Sequence, residues 1–161
     1  MLTSNVQSSA MFGPDPQLAR IIRQVESSNK ISALRFEPVV FSGLSMSDSE
    51  KNLISRIAAV NTCSFNTARV IFSSSYGLYQ IMGFNIYSLG YTDTIWEFWH
   101  SESDQNQCFA EFLIRNRINL TWAELKQDRA KLLAFARVYN GPGDQVAYAD
   151  AMTRAAQDLY L

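Results

Sequence analysis

At 161 residues, with 47% hydrophobic and 18% charged side chains, the chain has the size and composition of a single globular domain with a real core, which excludes disorder. A net charge of -1 and a pI near 5.8 leave no basic field for a phosphate backbone, which excludes a nucleic-acid role. The opening "MLTSNVQSSAMFGPDP" lacks a positive segment followed by an apolar run, and no later stretch approaches roughly 18 uninterrupted apolar residues, so neither export nor membrane insertion is encoded and a cytosolic location is expected.

In chain order, residues 1–13 read as a loosely packed arm, and Pro14 and Pro16 open a first helix that fades near Ser28. In it Leu18, Ile21, Ile22 and Val25 recur at i, i+3, i+4 and i+7 as one apolar stripe, and Glu26 falls on its shoulder, directly beyond Ile22. "ISALRFEPVVFSGL" follows, rich in β-branched and aromatic residues, and predicts an extended or hairpin insert around 31–44. "SDSE" at 47–50 is a capping box that starts a helix over 48–61. Further helices are predicted over 66–73, 94–101, 103–117, 129–139 and 145–159, with Asp128 before the helix over 129–139 and Gly141-Pro142 after it. The fold class is therefore mainly α with a small extended insert.

Three segments carry candidate chemistry. A glycosidic bond breaks when its leaving oxygen is protonated, and a carboxyl group does this near neutral pH only where apolar surroundings raise its pKa. Glu26 suits that role, although its position alone is that of a structural or solvated boundary residue. In "SSSYGLYQIMG", Leu78, Ile81 and Met82 form one face of a short helical turn with Gln80 opposite, its amide free for a sugar hydroxyl. Ser75 and Tyr76 precede Gly77, which permits a tight turn or a close approach. In "FARVYNGPGD", Tyr139 and Asn140 end a helix where a tyrosine offers both ring and hydroxyl to a cleft; Asn140 also fits a plain helix cap. Cys63 and Cys108 are too few for a disulfide framework, and with one histidine, His100, no zinc spacing exists. Two free thiols and a structural or surface histidine are expected, with no metal or cofactor.

Taken together, "VESS", "RFEPVVF", "SSSYGLYQIMGFN", "SESDQNQ" and "FARVYNGPG" resemble the N-acetylmuramidase family of phage endolysins, a branch of the lysozyme-like superfamily. The resemblance runs from about residue 18 to the C-terminus. It implies a lysozyme-like α-rich fold and cleavage of the β-1,4 bond between N-acetylmuramic acid and N-acetylglucosamine in peptidoglycan. Carried over residue by residue, it makes Glu26 the catalytic acid, Ser75, Tyr76 and Gln80 cleft residues, Tyr139 and Asn140 the aromatic-amide pair opposite, and Glu37 the second acidic position. Two departures stand out. Members carry a glycine soon after the first glutamate and a histidine in the "FEP" segment, where this chain has "SSNKIS" and Val39, so the loop after Glu26 is expected to be shorter and differently shaped.

The resemblance also implies a monomer that reaches the wall from the host cytoplasm through a partner pore, a holin. Two rival readings fit the same residues. One is a lytic transglycosylase giving 1,6-anhydromuramyl products; the other is a wall-binding or virion domain without turnover. Trp96 and Trp99, at i and i+3, read as core residues rather than sugar platforms. The last helix sets Asp144, Asp150 and Asp158 against Arg154 alone, so it lacks the charge to seek anionic lipid and reads as a packed terminal helix.

Overall fold

The computed structural model describes residues 14–141 and 143–161; the predicted N-terminal arm lies outside them. The first helix, α1 (Pro16–Ser27), begins where Asp15 accepts the amide of Leu18 at 2.7 Å, with Pro16 at its first position. Its stripe is buried as the spacing predicts: Leu18, Ile21 and Ile22 are fully enclosed and Val25 partly so. Its C-terminus turns on Ser28 and Asn29, both at positive φ (51° and 63°).

The insert after α1 is neither a hairpin nor wholly extended. It gives one short strand, β1 (Leu34–Phe36), and then Pro38 starts a single-turn helix, α2 (Pro38–Ser42). The hairpin lies later, in β2 (Ser74–Tyr76) and β3 (Ile81–Met82), where a helical turn was expected. Gly77, at φ 75°, turns the chain out of β2, and the strands pair antiparallel in the order β1-β2-β3. Register fixes the faces: Arg35, Ser75 and Met82 lie in one cross-strand row, while Leu34, Tyr76 and Ile81 occupy the next and face the opposite way.

The remaining elements are helices: α3 (Asp48–Val60), α4 (Phe65–Phe72), α5 (Gly83–Ser88), α6 (Ile95–His100), α7 (Glu102–Arg115), α8 (Trp122–Gln127), α9 (Arg129–Asn140) and α10 (Gln145–Asp158). The Ser47–Glu50 capping box forms as the sequence indicates, and Asp128 caps α9. Two helices escaped the sequence reading, α5 and α8, although "TWAE" at 121–124 closes the same reciprocal box over α8. Helices α9 and α10 pack together, α1 packs on α10, and α3 on α4, around a core that includes Phe98, Phe109, Trp122 and Met152. Trp99 packs partly against that core, but Trp96 stands 63% exposed and does not join it, because its side of the short α6 faces away from the other helices. The mainly α fold with a small three-stranded sheet is the lysozyme-like class expected. Among the described residues no helix is long and apolar enough to cross a membrane.

Candidate active site

Glu26 sits one residue before the end of α1, and a buried hydrogen bond fixes that end. The Ser27 hydroxyl donates to the carbonyl of Leu78 at 2.9 Å, tying the helix terminus to the β2–β3 turn. Gln105 of α7 holds the same turn from beneath. It is 1% exposed, accepts the Leu78 amide at 2.8 Å, and donates towards the carbonyls of Ile31, Phe98 and Trp99, so one side chain joins the loop after α1, the hairpin and α6. Gly77 lets the turn lie this close, since a Cβ there would sit 2.4 Å from the Gln105 amide.

Around Glu26 the two walls differ. On one side stand tyrosines: the Tyr148 hydroxyl of α10 donates to Glu26 Oε1 at 2.6 Å, and the Tyr139 ring lies 6.0 Å from that of Tyr148. Burial pushes the Glu26 carboxyl above its ordinary value of 4.5. The Tyr148 hydrogen bond and the charge of Arg35 pull it back, and the charge of Glu37 adds to the rise. Burial likewise holds the phenols of Tyr148 and Tyr139 well above their usual value, so both remain O–H donors.

The other wall is polar and comes from the sheet. Ser75, fully buried, donates to Gln80 Oε1 at 2.9 Å, and Gln80 Nε2 donates to the carbonyl of Gly77 at 3.0 Å, so the amide is oriented rather than free. Gln80 itself occupies the left-handed region at φ 47°. Glu37 is bonded to Arg35, the neighbour of Ser75 in the same row.

Of the residues named from sequence, Glu37 and Tyr139 lie close enough to Glu26 for their charges to interact, Ser75 pairs with Arg35 across the sheet, and Gln80 lines one hollow with Tyr139. Tyr76 is different: alternation along β2 turns it away from Ser75, and it is 6% exposed within the core. Tyr139 gives the groove its ring only, because its hydroxyl donates to the Tyr79 carbonyl at 2.8 Å. Asn140 is exposed as the last residue of α9, and Gly141, at φ 84°, follows as the cap. Sequence reasoning missed Tyr148, whose contact spans 122 positions, and the clamp role of Gln105, although "SESDQNQ" contains it. Cys63 and Cys108 are free thiols, and exposed His100 bonds to the Trp96 carbonyl of its own helix. Among the described residues no cluster of His, Cys, Asp or Glu is placed to hold a metal ion.

A carboxyl with a raised pKa, held by a tyrosine hydroxyl, has the physical character that proton donation near neutral pH requires. The family model for N-acetylmuramidase matches residues 53–160, and the chain is 39% identical over 140 residues to the endolysin of Enterobacteria phage PRD1, covering 85% of this chain and 92% of the relative. The chain belongs to the N-acetylmuramidase family. The matched segment holds Ser75, Gln80, Tyr139 and Tyr148, while Glu26 and Glu37 lie ahead of it. No solved structure matches.

Proposed function

We propose that the protein is a peptidoglycan-degrading muramidase that hydrolyses the β-1,4 bond between N-acetylmuramic acid and N-acetylglucosamine, with Glu26 as general acid. The observation that carries this reading is the state of Glu26: partly buried, held by a hydroxyl at 2.6 Å, and pushed towards its protonated form within reach of the charges of Arg35 and Glu37. A protonated carboxyl there delivers its proton to the leaving oxygen as the sugar develops oxocarbenium character. Gln80 and Asn140 supply amides, and the Tyr139 ring an apolar face, for the sugar hydroxyl and N-acetyl groups.

Displacement is completed by substrate groups or by a water held near Glu37, which Arg35 keeps in place. A gap of about 6.5–9.5 Å between the two carboxyls accommodates that water and gives inversion, whereas about 5–5.5 Å gives retention. On this reading the chain acts on the wall after release from the host cytoplasm, as a monomer and through a pore supplied by a second protein.

Product analysis on purified walls tests this. Release of muramic reducing ends by the native protein, and none by Glu26→Gln, is the expected result. Products lacking the mass of one water at the muramyl end would replace hydrolysis by transglycosylation, and wall binding without product would leave a binding domain.

A further inference from the structure

The groove continues past the catalytic junction. Met82, Asn85, Phe112 and Tyr139 line both a hollow of about 60 Å³ beside Gln80 and a larger recess of about 760 Å³, so the two share walls and form one trough. Pockets that hold drug-sized ligands span about 300–1,000 Å³, so the recess takes more than one sugar ring. Three amides, Asn85, Asn116 and Asn140, line it.

Arg115 is the one cation among the described residues lining the recess, and no carboxylate lines it. It ends α7, and its Nη1 donates to the carbonyl of Ser88 at 2.9 Å, which fixes the plane of the guanidinium. Among the described residues it has no ion-pair partner. An oriented, unpaired guanidinium in a concave wall suits a planar carboxylate, which it binds through two parallel hydrogen bonds.

We propose that Arg115, flanked by Asn85 and Asn116, forms a subsite for a free carboxylate of the peptidoglycan stem peptide, so that the enzyme favours peptide-bearing glycan over bare chains. The inference rests on peptidoglycan being the substrate. In a peptide-bearing strand the lactyl carboxyl of muramic acid is consumed in the amide to the first peptide residue, and the remaining free carboxylates belong to the peptide.

The test reads binding in the inactive Glu26→Gln protein, by co-sedimentation with native walls and with walls whose carboxylates have been converted to neutral amides. Amidation, or Arg115→Met in the same background, is expected to weaken binding about tenfold, the loss of roughly one charge-assisted contact, and the two together no more than either alone. Arg115→Lys, which keeps the charge, restores part of the binding and controls for folding. Equal binding of Glu26→Gln and its Arg115→Met derivative to native walls overturns the proposal. Dependence on Arg115 that survives enzymatic removal of the stem peptides moves the contact to the exposed lactyl carboxylate and overturns the stem-peptide assignment. Hydrolysis by the native enzyme is scored separately, so a protein that binds walls through Arg115 yet releases no sugar overturns the muramidase reading and leaves this one standing.

Discussion

The two walls around Glu26 come from different parts of the fold and do different work. The tyrosine wall, from α9 and α10, is buried and offers the carboxyl one short hydrogen bond; it governs where the proton resides. The sheet wall is polar and its groups bond one another, Ser75 to Gln80 and Arg35 to Glu37; it orients groups for a substrate. A protonation site needs low dielectric and few partners, whereas a recognition site needs fixed donors and acceptors. Changes on the first wall, and at the charged pair Arg35 and Glu37, should therefore move a pH profile, whereas changes at the neutral pair Ser75 and Gln80 should move a KM.

The largest effect belongs to the residue both walls share. Glu26→Gln removes the proton donor and should lower kcat by about 10²–10⁴-fold, the usual worth of general acid catalysis, measured as reducing ends released from walls. Its stability should move the other way. A carboxyl whose folded pKa is raised above 4.5 contributes stability that is present below that value and lost as pH rises through the folded pKa. Glu26→Gln should thus melt no lower than native at neutral pH, with the advantage shrinking towards pH 4.5; a lower melting point at pH 7 would mean that the burial cost has been misread.

Next is Tyr148→Phe, which deletes a hydrogen bond to a carboxylate, a contact worth about 1.5–3 kcal/mol. That bond lowers the Glu26 pKa, so its loss should raise the pKa further and carry the alkaline limb of kcat to higher pH. A limb that stays in place would sever the tyrosine wall from the proton. Ser75→Ala, on the sheet wall, removes a bond between neutral groups worth about 0.5–1.5 kcal/mol. It frees the Gln80 amide and should raise KM about three- to tenfold with the limb unmoved. A shift of the limb in Ser75→Ala would break the division of labour between the walls.

How far these walls were readable in the sequence follows the same division. The α1 stripe, the Ser47–Glu50 box and Asp128 are local signals, settled within four residues, and the elements they mark begin where the spacing places them. Glu26 was visible as a carboxyl on the edge of such a stripe. Tyr148 was not, because in "DQVAYADAM" it reads as one more core residue and only the packing of α1 on α10 brings it to the carboxyl. The hairpin was mistaken for a helical turn because Leu78, Ile81 and Met82 suit both periods over so few residues. Its geometry is decided by Gln105 beneath Gly77, whose hydrogen bond with the Leu78 amide spans 27 positions. Exposed Trp96 shows the converse: an i, i+3 aromatic pair predicts a common face, but a six-residue helix need not bury both members.

The smallest expected effect concerns the loop that departs from the family pattern. Ser28 holds φ 51° at the end of α1, a conformation that costs a residue with a Cβ about 1 kcal/mol and costs glycine almost nothing. Neighbouring Asn29 is better suited to that region, and Arg23 donates to its side-chain oxygen at 3.0 Å. Ser28→Gly should therefore gain somewhat less than 1 kcal/mol, since glycine's freer unfolded chain offsets part of the relief, and should raise the melting point by about 1–3 °C. The Ser28 side chain makes none of the contacts that hold Glu26, which depend on Ser27 and Tyr148. Both kcat and the pH limb should consequently stay at native values. If the variant melts higher but loses turnover, the strained turn itself helps to hold Glu26 in the groove, and the proton then depends on α1's last turn as well as on the tyrosines behind it.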